Sequence, residues 1–183
     1  MLMQGCYYLV SENICGNNFR QLLDLLGANA DFFTMNNHYC NIKNPPPLGR
    51  LFNALAPFRT DTLRVSDWYC NYDMSQYYMD DVAEYRIEVQ VYPSNSTTLD
   101  IIKSTCGNIY LFSHWLIPHG EDLCFFKDGQ LFMGTVSHER ICGIYPLTKA
   151  MSQKLQMYGE WEYSTHNFDV NDTNRIKYSP RLH

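Results

Sequence analysis

Apolar and polar positions along this chain follow two different periods, and the densest apolar region is residues 121–145, EDLCFFKDGQLFMGTVSHERICGIY. Leu123–Phe126 and Leu131–Val136 are short apolar runs separated by Lys127-Asp128-Gly129-Gln130. Asp-Gly at the centre suits a two-residue type I′ turn, because both positions need positive φ. A third run, Ile141–Tyr145, follows the turn-like Ser137-His138-Glu139-Arg140. The pattern predicts an antiparallel hairpin meander over 122–145. Leu123 and Phe125 alternate with Cys124 and Phe126, so both faces are apolar and the meander belongs in the middle of a sheet covered on both sides. Pro146 ends it, and Leu147–Tyr158 reads as a helix crossing back.

The other elements are read in the same way. Gln4–Val10 is a first strand. Asn17 or Asn18 caps a helix with a stripe of Phe19, Leu22, Leu23, Leu25 and Leu26, stopped by Gly27. Ala30–Cys40 fits either period, with Phe32, Phe33 and Met35 buried. Leu48–Ala56 is a short helix ended near Pro57, and Thr62–Cys70 begins as a strand. Tyr85–Val91 alternates most cleanly: Tyr85, Ile87, Val89 and Val91 face the core, while Arg86, Glu88 and Gln90 face water. After Pro93, a cap at Ser94, Ser96 or Thr97 opens a helix that runs to Cys106 and stops at Gly107. Ile109–Ile117 is a further strand ended by Pro118, and Ile176 with Tyr178 suggests a late one. Strands and helices are interspersed but the core strands are hairpin-linked. The expected fold is therefore α+β, a single domain over 1–183 with a central, mainly antiparallel sheet flanked by helices. A Pro-rich surface loop at 43–48 and a polar, Asn-rich stretch from Trp161 to His183, with 165–183 as the C-terminal tail, complete it.

Length adds that 183 residues suffice for one core without staples. The formal charge of −5 comes from dispersed acidic residues, so no nucleic-acid footprint is present, and a basic protein partner suits the balance. Seven cysteines, with no CxxC pair, point to reduced thiols. Met1–Cys6 ends in Gly-Cys but lacks the basic and apolar regions of a signal peptide, so a cytoplasmic location is expected. No apolar run is long enough to span a bilayer, so no membrane association is expected.

Catalytic motifs are sparse. His138-Glu139 begins like the zinc motif HExxH, but Cys142 stands where the second histidine belongs, and the stretch reads as a turn rather than a helix. If any metal is bound, His114, His119 and His138 are the candidates; no metal and no cofactor is expected. The adjacent carboxylates Asp80-Asp81 and Glu121-Asp122 would point to opposite faces of a strand, so neither pair forms an acid/base couple. No catalytic residue is assigned. A small cytosolic hydrolase would rely on His114, His119, His138 and Glu139.

A binding function has more residues to use. Tyr72, Asp73, Tyr77, Tyr78, Asp80, Asp81 and Glu84 form an acidic, aromatic stretch in which tyrosines can anchor a basic partner and carboxylates steer it. Core tyrosines beside a solvated face would give the same stretch. Glu160, Trp161 and Glu162 extend the surface. The central stretch, EDLCFFKDGQLF followed by TVSHER, resembles a pattern in small bacterial immunity proteins of contact-dependent inhibition and other polymorphic toxin systems. The resemblance covers residues 121–145. It implies a cytosolic protein that binds a cognate toxin domain, often a basic nuclease, and blocks it. It carries over no catalytic residues. An effector that inhibits a host protein is the remaining alternative.

Overall fold

The structure is a computed structural model and describes residues 5–11, 13–37, 49–65, 87–110, 121–137 and 139–165. These residues form an α+β domain: an open, antiparallel eight-stranded sheet with four α-helices. In chain order the elements are β1 (Cys6–Leu9), α1 (Gly16–Gly27), β2 (Phe32–Asn37), α2 (Arg50–Leu55), β3 (Asp61–Val65) and β4 (Ile87–Pro93). Then follow α3 (Ser96–Thr105), β5 (Glu121–Lys127), β6 (Gln130–Val136), β7 (Ile141–Ile144), α4 (Lys149–Leu155) and β8 (Trp161–Ser164). The sheet order is β3-β4-β2-β5-β6-β7-β1-β8.

The meander is as the sequence predicts. Lys127 pairs with Gln130 across a two-residue loop, and Asp128 and Gly129 take φ of 50° and 70° as a type I′ turn requires. Leu123, Cys124, Phe125 and Phe126 are all fully buried, two on each face. The pairing slips between Phe125 and Phe126, so that Phe126 opposes Leu131 while Phe125 opposes Met133. This bulge lets both Phe132 and Met133 join the core on one face.

All four helices pack on that face. The α1 stripe of Phe19, Leu22, Leu23 and Leu26, α2 Leu51, Phe52 and Leu55, α3 Leu99 and Ile102, and α4 Met151 and Leu155 share one cluster with Phe33, Met35, Tyr92, Leu123, Phe125 and Ile144. Each such fully buried side chain contributes roughly 1.5–3 kcal/mol of transfer free energy. Lys103 clamps α3 to α1 by reaching Asp24. The opposite face carries a smaller cluster of Phe32, Val91, Cys124, Phe126 and Leu131, with Leu63 at its margin. Among the described residues it receives no helix.

Several expectations need correction. The α1 cap is Cys15 rather than Asn17 or Asn18, and Gly27 is its last residue. The α3 cap is Asn95, whose side chain accepts from Thr98 N–H at 3.1 Å while Thr98 Oγ1 accepts in return from Asn95 N–H. The second face of β4 is not wet. Gln90 is buried because its amide lies between Tyr92, whose hydroxyl donates to it at 2.5 Å, and Glu88, which accepts from it at 3.1 Å. Ile109 and Tyr110 form a turn rather than the start of a strand, because Asn108 bridges Cys15 and its side chain binds Tyr110 N–H at 2.7 Å. Residues 161–164 are a strand, not part of a polar tail. The proline-rich 43–48, the tail from 166, Tyr85, and the expected strands at 111–117 and 176–178 lie outside the described residues.

Candidate functional site

Strand pairing divides the connections between two ends of the sheet. At one end lie Asp61, Pro93, Phe32, the Asp128-Gly129 turn and Ile144. Chain leaving that end turns back at once, through Ala28–Asp31, Arg59-Thr60, Ser94-Asn95, Asp128-Gly129 and Tyr145–Thr148. At the other end lie Asn37, Val65, Ile87, Glu121, Val136, Ile141, Leu9 and Trp161. Every long connection meets this second end: 38–49 leaves from Asn37, 66–86 joins Val65 to Ile87, and 111–120 enters at Glu121. We call the two the hairpin end and the connection end.

A buried polar node sits at the connection end, where β2, β5 and β6 terminate side by side. The fully buried Asp122 accepts from the Ser137 N–H at 2.9 Å through Oδ1 and from Asn36 Nδ2 at 3.1 Å through Oδ2. Its own N–H donates to Ser137 Oγ at 3.1 Å. Asp122 has φ of 55°, a left-handed conformation that a side chain adopts at some cost, and the reciprocal pair with Ser137 holds it there. The β2–β5 register shifts between Thr34 and Asn36 beside it. On the same face of β2, Asn36 Oδ1 and Thr34 Oγ1 are buried and receive no hydrogen bond among the described residues. Orphaned buried polar atoms of this kind call for a donor from outside the set.

The surface of this end mixes carboxylate and apolar groups. Val10 is 54% exposed, and Glu160, whose carbonyl accepts from Val10 N–H, is exposed beside it; Met157, between α4 and β8, is 71% exposed. Glu162 is exposed on the edge strand β8, but Trp161 is buried in the core cluster and is not the surface anchor expected of it. Tyr163 is 48% exposed, its ring 5.2 Å from that of Tyr7.

The remaining sequence candidates separate by position. Tyr72, Asp73, Tyr77, Tyr78, Asp80, Asp81 and Glu84 belong to the 66–86 connection, outside the described residues, whose two ends are anchored at the connection end by the Val65–Ile87 pair. His114, His119 and His138 also lie outside the described residues. Glu139 is exposed in the turn between β6 and β7, which is not a helix, so an HExxH site has no support there. Among the described residues no cluster of His, Cys, Asp and Glu assembles a metal site, and no helix is long and apolar enough to cross a membrane. Cys15, Cys106 and Cys142 carry free thiols. Burial pushes the Cys106 thiol up to about 12 and raises Cys142 as well, so neither offers a thiolate nucleophile.

Sequence reasoning missed Asn36, Asp122 and Ser137. The available signal was an aspartate opening an otherwise apolar strand, and an asparagine pair closing another. No family model, curated protein or solved structure matches this chain.

Proposed function

We propose that this protein acts by stoichiometric protein binding, as an immunity protein that captures and neutralises a cognate basic toxin domain through the connection end of its sheet. The observation that supports this reading is the gathering of the long connections at one end of a rigid sheet, including the anchored 66–86 connection with its tyrosines and carboxylates. Binding residues concentrate on such loops because the scaffold beneath them holds their ends while their sequences stay free to fit a partner. Exposed Val10 supplies apolar contact beside Glu160, and a net charge of −5 favours encounter with a basic surface.

The test is to read the neighbouring upstream frame, where this reading expects a long secreted protein with a toxin-like C-terminal domain, and to co-express that domain with this chain. Rescue of growth and a one-to-one complex on gel filtration are expected. Neutralisation should survive replacement of His114, His119 and His138 by Ala, one at a time, whereas a hydrolase would lose its effect. Failure to form a complex with the neighbouring domain would remove the immunity reading.

A further inference from the structure

One strand carries polar side chains from the core out to the connection end. On β4, Tyr92, Gln90 and Glu88 alternate with Val91 and Val89, so all three lie on the face that meets the helices. Their side chains are joined in series. The Tyr92 hydroxyl donates to Gln90 Oε1 at 2.5 Å, and Gln90 Nε2 donates to Glu88 Oε1 at 3.1 Å. Tyr92 and Gln90 are buried, at 0% and 2% exposure, and Glu88 is half-buried. The series has one direction. An ionised carboxylate only accepts, so the Gln90 amide turns its NH2 to Glu88 and its oxygen to Tyr92. Burial raises the Tyr92 phenol, against a lowering pull from Arg59 and with a further rise from Glu88, so the hydroxyl keeps its proton. In the register, Glu88 stands between Arg64 of β3 and Asn37 of β2, one residue after the 66–86 connection returns at Ile87.

Stability alone does not call for this series. Hydrogen bonds between a buried amide and a buried hydroxyl return little beyond their desolvation, and apolar side chains of similar volume would pack as well. What the series adds is position, because each member fixes the rotamer of the next. We propose that Glu88 is a contact carboxylate for the basic partner, aimed by Gln90 and Tyr92 at an arginine of that partner. The inference rests on the partner-binding reading above and names the chemistry of one contact within it. A carboxylate has about four acceptor positions, so a bond from Gln90 leaves Glu88 able to accept further donors. A carboxylate of fixed plane matches the planar guanidinium through two parallel hydrogen bonds, whereas a rotating one suits lysine equally well. Half-burial also lessens solvent screening of the pair. Asp122 is buried too deeply for this part, and Glu160 and Glu162 are exposed.

The experiment uses the full chain and the toxin-like domain of the neighbouring frame, with affinity by calorimetry, rates by surface plasmon resonance and stability by thermal melts. Glu88→Gln should weaken the complex at least about tenfold, chiefly through faster dissociation, as loss of one partner of a desolvated charge pair does. Gln90→Leu/Tyr92→Phe removes the series without leaving a buried group unpaired, so this variant should melt at or above the parent's temperature. Its affinity should nonetheless fall about two- to tenfold, because the contact side chain must now be ordered on binding. Adding Glu88→Gln to that pair should weaken the complex no further than Glu88→Gln alone, since the series acts only through the carboxylate. Among Arg→Lys variants of the domain, one should show the same loss and be non-additive with Glu88→Gln; if none does, the assignment to arginine is overturned. A complex that forms equally well with Glu88→Gln overturns the proposal and leaves the immunity reading standing. So does a Gln90→Leu/Tyr92→Phe variant that loses stability and keeps affinity, the mark of a series that serves the fold alone. A parent chain that forms no complex removes the immunity reading and this inference with it.

Discussion

At the hairpin end of the sheet, one aspartate joins three pieces of chain: its own link, Ser94 and the Phe126–Asp128 segment. Asp31 N–H donates to Phe126, its carbonyl accepts from Ser94, and its carboxylate takes Lys127 Nζ at 2.6 Å and Asp128 N–H at 2.7 Å. At the connection end another aspartate, Asp122, also ties strands together, but it is buried, left-handed and beside unsatisfied oxygens. The first is partly exposed, has both carboxylate oxygens partnered and lies among short turns. The second departs from the local rules in ways that proteins tend to tolerate where function needs it. The difference teaches where to look: the hairpin end stabilises the fold, and the connection end is free to act.

Variants can break or sharpen that contrast. The largest effect is expected from Asp122→Ala, which leaves the Ser137 and Asn36 donors buried and unpaired and should cost about 2–5 kcal/mol in urea denaturation. A loss below about 1 kcal/mol would mean that the node is not the rigid element described. At the hairpin end, Gly129→Ala puts a Cβ at φ 70° and should cost about 1–2 kcal/mol, with partner binding unchanged. Asn95→Ala removes the α3 cap and should cost about 1 kcal/mol on the same assay.

The smallest effect belongs to the exposed Asp31–Lys127 pair, and its signature is pH dependence. Partial burial works against the Asp31 charge, but the Lys127 and Asp128 donors outweigh it and hold the pKa below 3.8. The hydrogen bond to Asp31 raises the pKa of Lys127 above 10.5. The Asp31 contribution is thus present above pH 3.8 and lost as pH falls through the folded value. That of Lys127 is present below pH 10.5 and lost as pH rises through its folded value. Melting curves of Asp31→Asn should therefore fall slightly below the parent at neutral pH and low salt, and converge with it in strong acid.

Much of this architecture was legible in the residues. The Asp128-Gly129 turn, the double-sided apolar runs and the α1 stripe are local signals, and each appears where expected. What failed was tertiary. Gln90 reads as a wet position until Tyr92 and Glu88 enclose it, and Trp161 reads as tail until β1 pairs with its strand. β2 was ambiguous because a strand buried on both faces has no alternation to show. The polar node was illegible for a deeper reason: Asn36, Asp122 and Ser137 are joined only by the register of three strands, and no spacing in the sequence encodes that.

The central claim, that partner binding belongs to the connection end, is tested most directly by calorimetric affinity for the cognate basic domain in two charge-reversal variants. The account predicts that Asp80→Lys/Asp81→Lys/Glu84→Lys weakens the complex at least about tenfold, as loss of steering and contact charges should. Asp128→Lys, at the hairpin end, should leave affinity unchanged. Equal affinities for both variants and the parent, or a loss confined to Asp128→Lys, would contradict it.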